Sequence, residues 1–421
     1  MEKIVLRPVS ELKGSVKVSG SKNAALPILM ATILNGAENV IHNVPDLWDV
    51  STTLKLLRDI GATVERKGKT VTINTEEINH LEAPYELVKT MRASVLVLGP
   101  LLARFNQAKV SLPGGCAIGA RPVDQHIQGL KKLGASIDIS HGYIKARARR
   151  LKGARIVFDM PTVGGTENLM MAATLAEGVT VLENCALEPE IIDLADMLYA
   201  MGAKISGQGT STIVIEGVDS FSPLEYSVIP DRIEAGTLMC AVALVGGEAF
   251  IEGARADHLS AVISKLREMG VKVEEKDGGL LVGRTGRLKP VQLSTGPYPG
   301  FPTDMQAQFC VLASLANGQS KVAETIFENR FMHIAELRRL GSDIEVDGHL
   351  AFIKGVKSLQ GTKVMATDLR ASASLVLAGL VAEDSTEVLR IYHLDRGYES
   401  LEKKLRKLGA KVRRVTGKEK H

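Results

Sequence analysis

Six times along this chain a helical stretch ends in glycine and runs into a strand. The stretches are Leu57–Val64, Leu130–Ile137, Met197–Ile205, Leu266–Val273, Leu337–Ile344 and Leu405–Val412, and their glycines are Gly61, Gly134, Gly202, Gly270, Gly341 and Gly409, spaced 68 to 73 residues apart. The residue just past a helix end commonly takes a left-handed conformation that glycine alone adopts freely. Each marker therefore predicts an amphipathic helix closed by its glycine and followed by a strand. Upstream in each unit lies a more apolar segment: Ala24–Leu34, Ala93–Ala103, Leu169–Ala176, Ile233–Val245, Met305–Leu315 and Ala371–Val381. These are hydrophobic nearly all round, which predicts buried helices. Strand-like runs such as Val179–Leu182 and Ala249–Ile251 separate the two helices, so the unit reads as βαβαββ. Units of this size are too large for a thin solenoid, and 421 residues exceed what one core holds. The expectation is an α/β chain of two domains with three repeats each. The crossings are placed at Val18–Ser21 and Ser227–Pro230, giving 22–229 as the first domain and 1–21 plus 230–421 as the second.

Composition narrows the function. Fifty-two basic residues against 48 acidic ones leave a net charge of +4, too balanced for a nucleic-acid binder. The basic run Lys145–Arg155 reads as the wet face of an edge strand. Four cysteines form no CxxC pair, nine histidines show no HExxH spacing, and no GxxxxGK[ST] or GxGxxG opens a helix. Metal, ATP and dinucleotide cofactors are therefore not expected. The longest apolar run, Ala93–Ala103, falls well short of the ~20 residues that cross a bilayer, and the first residues carry no signal-peptide pattern. No membrane association is expected, and the cytoplasm is the expected compartment.

The chemistry-bearing residues cluster in two kinds of place. Cys116 sits in a loop with Gly114, Gly115 and Gly119, five residues before Arg121 and Pro122. A guanidinium near a loop thiol favours the thiolate. The apolar helices open on polar residues: Lys22-Asn23, Arg92, Gly164-Gly165-Thr166, Asp231-Arg232, Thr303-Asp304 and Asp368-Leu369-Arg370. Helix N-termini carry partial positive charge. If three converged in each domain, the inter-domain cleft would hold a phosphorylated or carboxylated ligand, helped by Lys22, Arg92, Arg121 and Arg370. A plainer reading makes Asp231, Asp304 and Asp368 simple helix caps and Cys185, Cys240 and Cys310 packing thiols.

Seven motifs, in order, carry a resemblance. They are Gly20–Pro27, Lys89–Ser94, the cysteine loop Leu112–Asp124, Phe301–Gln308, Phe327–His333, Ala366–Ala373 and Asp395–Glu399. With these the chain resembles the enolpyruvyl transferase family, in the branch that acts on UDP-N-acetylglucosamine, over essentially its whole length. The resemblance implies two similar inverted (inside-out) α/β barrel domains, with buried helices inside and sheets outside. It implies transfer of the enolpyruvyl group of phosphoenolpyruvate to the sugar 3-hydroxyl through a tetrahedral ketal, with phosphate released. Cys116 would donate the proton to C3 and be the target of fosfomycin, and Asp304 would act as base. Lys22, Arg121 and Arg396 would surround the phosphate and carboxylate of phosphoenolpyruvate, and Asn23 and Arg92 would line the substrate region. Arg121, Pro122, Val123, Asp124, Gln125 and Ile326 would touch the sugar nucleotide, with Val163 and Gly164 beside them. Asp368 and Arg370 would support the site. Glu188 and Glu190 lie in a family motif without an assigned role, and Met160 stands where many relatives place a lysine near the uridine. No cofactor is implied, a monomer or weak oligomer is expected, and the two domains would hinge shut on the sugar nucleotide. Two alternatives stay open: the shikimate branch of the same family, and a non-catalytic repeat protein that binds nucleotide sugars.

Overall fold

A computed structural model describes residues 2–89, 91–112 and 123–416. These form an α/β fold of six four-stranded mixed sheets, all with one topology. The third repeat shows the pattern. Strand Arg155–Val157 leads through helix Val163–Ala173 to a parallel strand, Val179–Glu183. Helix Pro189–Met201 follows, then the antiparallel pair Lys204–Ser206 and Thr212–Glu216, the latter bonded to Val179–Glu183. The parallel pair needs a helical crossover and the antiparallel pair only a tight connection, which gives βαβαββ in each repeat.

Three strands are contributed from far along the chain. Glu225–Ser227 completes the sheet of Glu38–His42. Leu12–Lys17 completes that of Gly247–Glu252, and Glu2–Arg7 lies between Thr386–Leu389 and Lys411–Thr416. Each group of three repeats is thus tied shut by sequence-distant pairing. Every sheet is open, and among the described residues no sheet closes into a barrel. The described residues fall into two compact units, 2–19 with 230–416 and 20–229, each with its own apolar core.

All six marker glycines are left-handed, with φ between +88° and +114°. The apolar helices are inner helices: Arg232–Val245 is buried from Ile233 onward, and every residue of Gln306–Ser314 is buried. In each unit they pack on one another and under the sheets, whose strands alternate buried and exposed residues. Cys185, Cys240 and Cys310 are core thiols, as the plainer reading had them. The basic run needs correction. Tyr143–Arg147 is an interior strand, flanked by Gln107–Ser111 and Ser136–Ser140, although its alternation of wet and buried residues is as expected. Gly20 is required by crowding: a Cβ there would lie 1.7 Å from the carbonyl oxygen of Asn43.

Candidate active site

In the unit 20–229, Lys22 and Asn23 open helix Lys22–Ala31, capped by the Ser21 hydroxyl, which accepts from the Ala24 N–H at 3.3 Å. Lys22 is nearly buried. Its Nζ lies 2.8 Å from the carboxylate of Asp49, in the first turn of helix Trp48–Asp59. That pairing fixes a long side chain that would otherwise be mobile. Arg92 begins the turn Arg92–Val97 that precedes helix Leu98–Phe105. Its charge bears on His126 from helix Asp124–Lys132, whose imidazole is pushed down to about 4, first by burial and then by Arg92. His126 is therefore neutral. The Asn168 oxygen is occupied by the Gly99 N–H at 2.7 Å, so its amide nitrogen donates to Val95 O and to His126 Nδ1 at 3.0 Å. The proton of His126 then sits on Nε2.

Val163 and Gly164 are the first residues of helix Val163–Ala173, capped by Thr162. Gly164 faces His126: a Cβ there would stand 3.4 Å from the ring. Val123 is buried just before its helix, with Asp124 and Gln125 in the first turn. Gln125 is engaged internally. Its oxygen accepts from the Asp159 N–H at 2.9 Å and its nitrogen donates to Met160 O at 3.3 Å, while the Met160 side chain is exposed. Further along the helix Val163–Ala173, Glu167 is buried, and its Oε1 has no hydrogen-bond partner among the described residues. Burial, then the charges of Glu190 and Glu188, hold its carboxyl well above the usual carboxylate range. Cys116, Arg121 and Pro122 lie outside the described residues.

In the other unit, Asp304 overturns its helix-cap reading. It lies within the 3₁₀ turn Thr303–Met305, and its carboxylate serves two arginines. Oδ1 accepts from Arg330 Nη2 at 2.7 Å; Oδ2 accepts from Arg370 Nε at 3.1 Å and Nη2 at 2.9 Å. Burial alone would raise this carboxyl, but Arg370 and Arg330 overcome that and hold it well below the usual range. Arg370 is 2% exposed, and its Nη1 has no hydrogen-bond partner among the described residues. Its guanidinium lies over the buried ring of Tyr398. The Tyr398 hydroxyl meets Thr237 at 2.9 Å and receives the Gln308 amide at 3.2 Å. Asp231 and Asp368 do cap their helices, Arg232–Val245 and Leu369–Gly379. Arg396 ends the turn Ile391–Arg396, close enough to help depress His393, whose chief cause is burial. Ile326 lies in the exposed segment after strand Gln319–Ala323.

The structure thus brings Asp304 and Arg370 together, and Gly164 with the Arg92–His126 pair. Sequence reasoning missed Asp49, His126, Asn168, Glu324, Arg330, Gln308 and Tyr398. Arg330, Gln308 and Tyr398 stood inside the motifs that carry the resemblance and could have been suspected from them; the others carried no local signal.

Six βαβαββ repeats in two units, with ionic clusters at the starts of the inner helices, define a class. The family model for EPSP synthase (3-phosphoshikimate 1-carboxyvinyltransferase) matches residues 6–405, and the chain belongs to that family of enolpyruvyl transferases. Within it, the chain is 58% identical to a UDP-N-acetylglucosamine 1-carboxyvinyltransferase of Geobacter metallireducens, over 99% of this chain and all of the relative. A protein of the same name from Geotalea uraniireducens is 57% identical over the same spans. Among solved structures, the enolpyruvyl transferase NikO from Streptomyces tendae superposes with a TM-score of 0.90 at 27% identity, covering 99% of each chain. EPSP synthase from Acinetobacter baumannii shares the fold, with a TM-score of 0.77 at 19% identity.

Proposed function

We propose that this protein transfers the enolpyruvyl group of phosphoenolpyruvate to the 3-hydroxyl of UDP-N-acetylglucosamine, releasing phosphate, as an enzyme of peptidoglycan precursor synthesis. The observation that carries this reading is 56–58% identity, end to end, with proteins named for that reaction. The shikimate branch shares the fold and supplies the family model's description, but the EPSP synthase of Acinetobacter baumannii stands at 19% identity.

The reaction asks three things of the protein. Two anionic groups on phosphoenolpyruvate must be neutralised, C3 must gain a proton, and the acceptor hydroxyl must lose one as its oxygen bonds to C2. Lys22, Arg121 and Arg396 serve the first need, and Arg92 and Asn23 line the substrate region. Because Asp49 holds the Lys22 ammonium in place, little ordering remains to be done when the phosphate arrives. Cys116 serves the second as proton donor; one proton is lost again from C3 as the C–O bond to phosphate breaks. Asp304 serves the third.

Asp304 between two guanidiniums is ionised and weakly basic. It aligns the acceptor hydroxyl by accepting its hydrogen bond. An anionic substrate that draws Arg330 or Arg370 toward itself relieves that grip and restores basicity as the donor arrives. Val123, Asp124, Val163, Gly164 and Ile326 provide surfaces for the sugar nucleotide. Gln125 acts on it through the 159–160 segment, and Asp368 presents Arg370 by capping its helix. Among the described residues no helix is long and apolar enough to cross a membrane; a cytoplasmic monomer or weak oligomer completes the reading.

A phosphate-release assay tests it. Wild type turns over with phosphoenolpyruvate and UDP-N-acetylglucosamine but not with shikimate 3-phosphate, and Cys116→Ser loses most of that turnover. Turnover with shikimate 3-phosphate alone, or with neither acceptor, refutes the assignment.

A further inference from the structure

Glu324 directly follows the strand Gln319–Ala323 and is 2% exposed. Its carboxylate collects four donors from three separate segments. Oε1 accepts from the Thr295 hydroxyl at 3.0 Å and from the backbone N–H groups of Ile326 at 2.9 Å and Phe327 at 3.1 Å. Oε2 accepts from the Thr303 hydroxyl at 2.8 Å. Thr295 reinforces the same segment, accepting from the Thr325 N–H at 2.8 Å on its hydroxyl and from the Thr325 hydroxyl at 2.6 Å on its carbonyl.

Thr303 has one hydroxyl proton, and it goes to Glu324. The oxygen is left free to accept from Arg330 Nη1 at 3.1 Å, while Arg330 Nη2 holds Asp304 Oδ1. A continuous polar chain therefore runs from the backbone of Ile326, through Glu324, Thr303 and Arg330, to the carboxylate of Asp304. A buried carboxylate is costly unless it is fully hydrogen-bonded. This one accepts on both oxygens, and its donors come from Thr295, from the segment after the strand and from the Asp304 turn.

On the reading given under Proposed function, we infer that Glu324 is a positioning residue for the acceptor substrate: it sets the Ile326 segment in register with Asp304, so that acceptor binding and hydroxyl alignment depend on each other. It touches neither substrate. Its effect falls on UDP-N-acetylglucosamine and on kcat, not on phosphoenolpyruvate.

The test uses Glu324→Gln, Thr303→Val and Thr303→Ser in the phosphate-release assay, with each substrate varied in turn. Hydrogen bonds to charged groups are the strong ones, so Glu324→Gln and Thr303→Val are each expected to raise the acceptor KM about tenfold and to lower kcat. The KM for phosphoenolpyruvate should stay within about twofold. Thr303→Ser, which keeps the hydroxyl, should return both parameters to near wild type, and the double variant should be less impaired than the product of the singles. A purely structural role would lower the unfolding midpoint without separating the two KM values. Should Glu324→Gln not fold, the Val and Ser variants at 303 decide the matter by themselves. Unchanged acceptor KM, or equal rises in both KM values, overturns the inference while leaving the function intact. A wild type inactive with UDP-N-acetylglucosamine overturns both.

Discussion

Replacing Asp304 by Asn is the sharpest probe of the ionic cluster, because the amide keeps the shape and removes the charge. In the wild type two guanidiniums, 6% and 2% exposed, share one carboxylate. An Asn oxygen can still accept from Arg370, but its NH₂ then faces Arg330 Nη2 across the 2.7 Å contact, donor against donor. Breaking a buried ion pair costs about 3–5 kcal/mol. The Asp304 side chain retains 25% exposure, so water offsets part of that and the lower end, about 3 kcal/mol, applies. For a unit of roughly 200 residues, this is a drop of about 6–12 °C in its unfolding midpoint. The pH dependence supplies a second signature. A carboxyl whose folded value is depressed adds stability above its unfolded value near 4, and that contribution fades as pH falls. The gap between wild type and Asp304→Asn should therefore narrow by about 1 kcal/mol between pH 5 and pH 3. Calorimetry across that range reads both effects. Equal midpoints at neutral pH, or a gap that does not change with acid, would show that the arginines do not depend on Asp304.

Three further outcomes can be checked directly. Gly20→Ala forces a Cβ into the Asn43 carbonyl and should cost about 3 kcal/mol or more in urea unfolding; a neutral result would mean that the backbone there yields freely. Glu167→Gln should be more stable than wild type at pH 8, because the raised Glu167 carboxyl must take up a proton on folding above its unfolded value near 4, and the amide need not; the advantage should vanish toward pH 4, and one independent of pH would point to packing instead. Fosfomycin should add once to the intact protein and not to Cys116→Ser, since burial pushes the Cys185 thiol up to about 11 and raises Cys240 and Cys310 too; an adduct on one of those three would contradict this.

The repeat was legible because helix ends and buried helices are local events. Gly61 and its five counterparts are left-handed as their sequence context demanded, and Asp231 caps the helix that Pro230 announces. Sheet membership was less legible. Tyr143–Arg147 looked like an edge strand because its charges alternate, yet pairing with Gln107–Ser111 places it inside. Lys and Arg stems there leave their heads in water, so alternation reports one wet face and says nothing about neighbours. The site was partly legible for a similar reason. Lys22, Arg92 and Asp304 stand at helix starts, where a charge is conspicuous. The partners of Lys22 and Asp304, namely Asp49, Arg330 and Arg370, lie 26 to 66 residues away in sequence, and only tertiary folding brings them within bonding distance.

The helix starts also show how one repeat can build both scaffold and site. In four of the six repeats a side chain caps the inner helix: Ser21, Thr162, Asp231 and Asp368. In the other two, the segment instead opens with a 3₁₀ turn, after Met91 and after Pro302, and among the described residues no side chain caps either one. These two turns hold Arg92 and Thr303-Asp304, and each belongs to the middle repeat of its unit. A capped start secures the helix through the residue before it. An uncapped start forgoes about 1 kcal/mol of that security, and the charge in its first turn takes partners that lie elsewhere. For Asp304 those partners are Arg330 and Arg370, which replace the lost local bonds with stronger ionic ones. The capping position thus serves stability in four repeats and yields to a 3₁₀ turn in two, while the residues just past it carry the site's charges in both kinds: Lys22 and Arg370 after a cap, Arg92 and Asp304 after none.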